Sequence, residues 1–287
     1  MAETEKDLWG LFLGSSLSKY GIGGNRFKNP NMWALLNEID GMLGDARDKI
    51  VFDVGCGTGI KSILMGMKGA KVRGFDVDSR AIENCRKNLK KVNAPLDVEF
   101  ILQDAQNNFP AKYDGKVDFI LCNQVIEHIP DYKKALEKMI KALKPGGRIL
   151  ITTPNKLTHM PRKGEKVFGE KELGHHHSFS RDALREVLKD NKNVVIEELT
   201  THQSLPPFPV RAWYKLLSKL NELQWFLQKT DEKRATGFEK TYVALIAPLV
   251  ALHNFLIYPC LLKWYLTSER KVDEDQGLTI HLILRKL

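Results

Sequence analysis

Cysteine is scarce: four in 287 residues, Cys56, Cys85, Cys122 and Cys260, widely separated and with no C-x-x-C pair. That spacing excludes a disulfide framework and a cysteine zinc site, and it points to a reducing, cytoplasmic compartment. The opening MAETEKDLWGLFLG is acidic ahead of a short apolar run, so it lacks the basic start of a secretory signal. Strong compositional bias is absent as well. With 43% hydrophobic and 28% charged residues the chain can bury a sizeable core, and its length suits one enlarged α/β domain with an insertion better than two independent domains. The net charge of +9 does not gather into one basic run. Lys87, Lys90 and Lys91, and then Lys133, Lys134, Lys138 and Lys141, lie on separate segments, as a solvated basic surface requires.

What is present is organised around Lys49 to Gly59, KIVFDVGCGTG. Ile50, Val51, Phe52 and Val54 read as a buried parallel strand, because the run is short, β-rich and stopped by glycine. Glycines at 55, 57 and 59 remove side chains that would hold the backbone away from a ligand, and they permit a tight turn into a helix over 60–68. A dinucleotide fingerprint needs its third glycine one residue later, where Ile60 stands. Asp53 would repel a pyrophosphate but suits an ammonium group. Asp76 ends the next strand about 20 residues on, where a carboxylate accepts from ribose hydroxyls. A cationic amino acid joined to a nucleoside satisfies both acids.

Strand and helix signals alternate: strand 50–55, helix 60–68, strand 71–75, helix 79–91, strand 98–102, strand 117–121, helix 132–143, strand 148–152, helix 181–188 behind Ser180, strand 194–199 and a last strand over 278–284. This alternation predicts an α/β, Rossmann-like, doubly wound and mostly parallel seven-stranded sheet, with a helical insertion between its last two strands. The expected division is an N-terminal helical cap over 1–48, in which Tyr20 and Arg26 serve packing and surface charge unless the cap covers a ligand cleft, a core over 49–204, an insertion over 205–272, and a closing strand over 273–287.

FDVGCGTG, the acid Asp76, the pair Asp104-Ala105 after VEFIL, VDFILCNQVIEHIPD and LKPGGRILITTPN resemble, in this order, the motifs of the class I S-adenosylmethionine-dependent methyltransferases. The likeness covers about residues 45 to 200. It implies a cofactor held by Asp53, Gly55, Cys56, Gly57, Thr58, Gly59, Asp76, Val77, Asp104, Ala105, Asn123 and Gln124. Cys56 is expected to pack beside the cofactor rather than to act as a nucleophile. His128, past the fourth strand, is the candidate general base, with Glu127 to orient it; a merely structural histidine is the competing reading. VIEHIPD most resembles the quinone-ring O-methyltransferases, whose E-x-x-E-H pattern is thought to hold a divalent metal; Gln124 replaces its first glutamate and leaves metal dependence open. In GHHHSFS the adjacent histidines alternate faces and do not all reach one ion, so the stretch reads as substrate-loop lining and no metal ligand is assigned.

The implied partner is a small, hydrophobic or lipid-linked acceptor. No nucleic acid is expected: CNQV stands where an N-P-P-Y-like tetrapeptide would follow the fourth strand. The alternatives are a cofactor-binding scaffold or regulatory protein without chemistry, and a methyltransferase acting on nucleic acid or protein. Residues 211–267 combine an amphipathic segment, with Trp213 and leucines beside Arg211, Lys215 and Lys219, and an uncharged run from Thr241 to Leu262. The run reaches spanning length, but Pro248, Pro259, His253 and Asn254 suit a bent or re-entrant pair at a membrane surface. A buried lid helix or an oligomer interface has the same sequence signature.

Overall fold

The computed structural model describes residues 30–92, 94–107, 109–156, 174–202 and 277–287. The readings made for Tyr20 and Arg26, for 211–229 and for the uncharged run over 241–262 lie outside these residues.

Seven strands form one sheet: β1 (Ile50–Val54), β2 (Lys71–Asp76), β3 (Val98–Leu102), β4 (Val117–Asn123), β5 (Leu143–Pro154), β6 (Val194–His202) and β7 (Thr279–Lys286), in the order β3-β2-β1-β4-β5-β7-β6. β1 to β5 pair in parallel, and β7 runs antiparallel to both β5 and β6. The strands are joined or preceded by α1 (Pro30–Leu43), α2 (Ile60–Met67), α3 (Ser79–Val92), α4 (Tyr132–Ala142) and α5 (Arg181–Leu188). The doubly wound, mostly parallel sheet expected from the alternation is therefore present.

Alternation along β1 builds two cores. Val51 faces Leu36 and Ile39 of α1 and Ile63 of α2, whereas Phe52 faces the other layer with Phe75, Tyr113 and Met139 of α4. Phe52 lies 4.9 Å from Phe75 and 5.2 Å from Phe109, ring centre to ring centre, so an aromatic wedge fixes the strand directly beneath the glycine turn. Asp131 caps α4 by accepting from the Lys134 amide at 3.1 Å, and Ser180 caps α5 by accepting from Ala183 at 3.2 Å.

One boundary departs from the sequence reading. The sequence reading sets helix 132–143 and strand 148–152 on either side of Pro145-Gly146-Gly147, which would end the helix, yet β5 starts at Leu143 and runs through these residues to Pro154. Pairing with β4 shifts register between Val117 and Phe119, and a Cβ on Gly147 would come within 2.8 Å of the Val117 carbonyl oxygen. Close backbone approach, not helix termination alone, accounts for glycine there. Among the described residues no helix is long and apolar enough to cross a membrane.

Candidate active site

The carboxyl ends of β1, β2 and β4 open onto a cleft of about 510 Å³, a size suited to a small-molecule cofactor. This is where ligands bind in open parallel sheets, because the loops leaving the strands diverge there. Gly55, Asp76, Val77, Asp104, Ala105, Gln124 and His128 line it, so seven of the expected residues meet in one place.

The glycine turn is built as its spacing requires, with Gly55, Gly57 and Gly59 all at positive φ, between 55° and 74°. Their surroundings differ. A Cβ on Gly55 would lie 2.2 Å from Val125 Cγ2 and one on Gly59 would lie 2.8 Å from the Phe100 ring, whereas a Cβ on Gly57 would meet nothing within 4 Å. Gly55 and Gly59 are therefore needed by the fold, and Gly57 leaves open space. Gly57 also donates its amide to Asp76 Oδ2 at 2.9 Å, while Asp76 Oδ1 accepts from the Asp78 amide at 3.0 Å. The acid at the tip of β2 is thus locked to the turn, with lone pairs left on both oxygens for a ligand.

Asp104 is held in a similar way. Its carboxylate accepts from the Gln106 amide at 2.8 Å and from Gln106 Nε2, whose other end accepts from the Asp131 amide at 2.9 Å. Gln106 lines the cleft beside it, and sequence reasoning missed this residue. A glutamine two positions after an acid carries no periodic signal; only the return of the chain at Asp131 gives it a partner.

Other expected residues do not line the cleft. Asp53 is completely buried; Oδ2 accepts from Ser62 Oγ at 2.6 Å, and Oδ1 has no hydrogen-bond partner among the described residues. Burial pushes this carboxyl above its ordinary range. Cys56 turns into the core between α2 and α3, its Sγ 3.9 Å from Cys85 Sγ, and Cys85 in turn donates to the Gly57 carbonyl oxygen at 3.1 Å. The bond to Cys85 and burial both raise the Cys56 thiol, which makes it a poor nucleophile. Thr58 is on the exposed crest of the turn and lends its carbonyl to Asn88. Asn123 accepts from Thr152 Oγ1 at 2.9 Å, across to the neighbouring strand.

β4 ends in a strained step. Gln124 has φ +55, unusual for a residue with a side chain, and its amide is fixed to the Thr152 carbonyl at 2.9 Å. The step leads into a 3-10 turn, Ile126–His128, which sends successive side chains opposite ways. Glu127 is 2% exposed, accepts from Thr153 Oγ1 at 3.0 Å, and has its carboxyl raised by burial. His128 points outward, and its Nδ1 lies 3.1 Å from the Gly174 carbonyl. The orienting group is thus a backbone carbonyl, whereas the Glu127 carboxylate is tied to β5. Because a carbonyl only accepts, Nδ1 carries the hydrogen, and the neutral ring presents its lone pair at Nε2.

The histidine run lies against this turn. Amides of His176 and His177 donate to the Glu127 carbonyl at 2.8 and 3.1 Å. His177 Nε2 bonds the Pro130 carbonyl at 2.8 Å, while the His175 ring meets His128 edge-on at 4.7 Å. The His175 and His177 rings have different partners, His128 for the first and Pro130 with Tyr132 for the second. One of them, His175, still joins Glu127 and His128 in a group whose potential ligand atoms all lie within 4.8 Å of one another.

Known proteins resemble this chain in sequence and in fold. The ubiquinone biosynthesis O-methyltransferase of Proteus mirabilis is 34% identical over 117 residues, which are 41% of this chain and 45% of that protein. Its counterpart from Cupriavidus pinatubonensis is 33% identical over 121 residues, 42% and 47% of the respective chains. The chain spans about half the length of these curated relatives. Among solved structures, an S-adenosylmethionine-dependent methyltransferase from Mesorhizobium loti aligns with a TM-score of 0.55 at 12% identity, over 90% of this chain and all of that one. Phosphoethanolamine N-methyltransferase 2 of Haemonchus contortus, in complex with S-adenosyl-L-methionine, aligns with a TM-score of 0.56 at 15% identity, over 94% and 59%. At such identities the structural likeness speaks for the fold alone. The family model for a methyltransferase domain matches residues 33–198, more than half of the chain and the whole of the cleft, so the chain belongs to the class I S-adenosylmethionine-dependent methyltransferases.

Proposed function

We propose that this protein transfers the methyl group of S-adenosylmethionine to an oxygen of a small, hydrophobic, quinone-like acceptor. One observation carries the reading: a histidine with its lone pair turned outward shares a cleft with two backbone-locked acids and a glycine turn that leaves open space at its crest.

The residues present fit the cofactor. Asp76 offers acceptors for two hydroxyls, and Asp104 with Ala105 forms an edge for a planar base. Gly57, where a Cβ would meet nothing within 4 Å, leaves room for a ligand to lie against the turn. S-adenosylmethionine carries its methyl group on a sulfonium, already activated for displacement. What remains for the chain is to hold the acceptor in line and to take its proton. Gly174 fixes the His128 ring, and Nε2 is the atom that receives the acceptor's proton. Val125, Ile129 and Pro130 give the same cleft an apolar wall, which favours a ring over a charged acceptor.

Glu127, His128 and His175 would hold a divalent cation at this place, and a cation would lower the pKa of an acceptor hydroxyl. One lone pair on Nε2 does not serve both roles, so metal binding here would exclude His128 as the base. Contact of 211–267 with a membrane surface rests on the sequence pattern and is checked by flotation with anionic liposomes at low and high salt.

The test of the function is transfer of label from methyl-labelled S-adenosylmethionine to separate acceptors: a catechol or hydroquinone with a short alkyl tail, phosphoethanolamine, RNA, and a host lipid extract. The expected product is a methyl ether in the hydroquinone or lipid sample. Label on the amine or on RNA, or cofactor binding with no transfer to any sample, contradicts the proposal.

A further inference from the structure

Outside the cleft, three side chains with ligand atoms meet where α1 packs against the antiparallel end of the sheet. Glu38 comes from α1, His202 is the last residue of β6, and His281 lies on β7; their potential ligand atoms are all within 4.8 Å of one another. The register explains the meeting. Thr200 pairs with His281 and His202 with Thr279, so the two histidines are diagonal neighbours on one face. That face is the α1 face, because Ile283, two residues along β7, packs in the cluster that contains Leu36 and Ile39. The two imidazoles stack at 4.0 Å with 26° between their planes, and His281 Nδ1 bonds Glu38 Oε2 at 2.7 Å.

Hydrogen-bond bookkeeping shows which nitrogen His202 offers. Thr200 Oγ1 spends its one hydrogen on Glu198 Oε1, 3.1 Å away. It must therefore accept from His202 Nε2 at 2.9 Å, and in the neutral ring the lone pair then sits on Nδ1. An imidazole whose outer N–H is tied through a hydroxyl to a carboxylate, with its other nitrogen unprotonated, is prepared as a metal ligand. We infer that Glu38, His202 and His281 form a binding site for a divalent transition-metal ion of the zinc class.

Two imidazoles and one carboxylate are the donors such ions take, whereas magnesium and calcium prefer oxygen alone. The ion enters between His281 Nδ1 and Glu38 Oε2 while the ring's hydrogen moves to Nε2, so no proton is lost. Bonds of about 2.0–2.2 Å to nitrogen and oxygen require that 2.7 Å contact to open and the stacked rings to splay slightly. Three protein ligands leave a fourth position for water. Bound there, the ion ties α1 to the two strands that precede and follow residues 203–276.

The test uses the full chain, freed of metal and carrying His175→Ala to disable the Glu127, His128 and His175 group. It is titrated with Co²⁺ and read by the visible absorption that marks tetrahedral coordination, with circular dichroism as the control for folding. The expected result is one equivalent bound. His202→Asn and Glu38→Gln each weaken binding more than about 100-fold, beyond the loss of an outer-shell partner, and Zn²⁺ raises the melting temperature only where both residues are present. Glu38→Gln, on the partly exposed helix residue, carries the test if His202→Asn does not fold. Absence of the absorption band, or equal Co²⁺ affinity with and without these substitutions, overturns the site and leaves the three side chains a hydrogen-bonded stack.

Discussion

Gly57→Val is expected to weaken S-adenosylmethionine binding about 100-fold or more while leaving the protein folded. A Cβ at this position meets nothing within 4 Å, so the new side chain starts in open space. Its cost to the fold is that of a branched side chain at φ +55, about 1–2 kcal/mol and within the margin of a domain of this size. In the proposed cofactor placement the ligand occupies this open space, and two methyl groups placed there should weaken binding about 100-fold or more, near 3 kcal/mol. Gly55→Ala provides the contrast. Its Cβ would press to 2.2 Å from Val125 Cγ2, so it should lower the melting temperature first and affect binding through misfolding. Calorimetric titration paired with thermal melts separates the two. Full cofactor affinity in folded Gly57→Val would mean that the ligand does not lie against this turn.

Methyl transfer by His128→Ala is expected to fall by about 10²–10⁴, the usual contribution of a positioned general base, with cofactor affinity unchanged. The expectation rests on geometry: the ring lines the cleft, and its bond to Gly174 turns Nε2 outward. Added imidazole should restore part of the rate to the alanine variant, a rescue that a structural histidine would not show. If turnover on the methylated acceptor is unaltered, the proton leaves by another route. A loss of rate in His128→Ala that is matched by loss of a bound divalent ion would assign His128 to the metal group instead.

The sheet was legible because its signals are local. Short apolar runs ending in glycine or acid gave β1 and β2 to within a residue, and the glycine spacing foretold a turn with positive φ at 55, 57 and 59. Asp76 and Asp104 were found for the same reason: a strand tip faces the crevice by topology. What a side chain turns toward was less legible. Asp53 and Asp76 both stand at or near the ends of strands, yet Asp53 packs against Ser62 beneath the turn and does not line the cleft. Cys56 and Thr58 flank Gly57, and one faces Cys85 in the core while the other is exposed. Partners far along the chain escaped altogether. Gly174 on His128, Asp131 on Gln106 and Glu38 on His281 are joined only once the sheet has closed.

The most direct measurement of the central claim is calorimetric titration of S-adenosylmethionine and S-adenosylhomocysteine into the wild-type protein and Asp76→Ala. One molecule of either ligand should bind per chain. Asp76→Ala should weaken both by about 10–100-fold, the loss of a charge-assisted acceptor for hydroxyl groups. Equal affinity in the two proteins, or no binding to a folded wild-type protein, would contradict it.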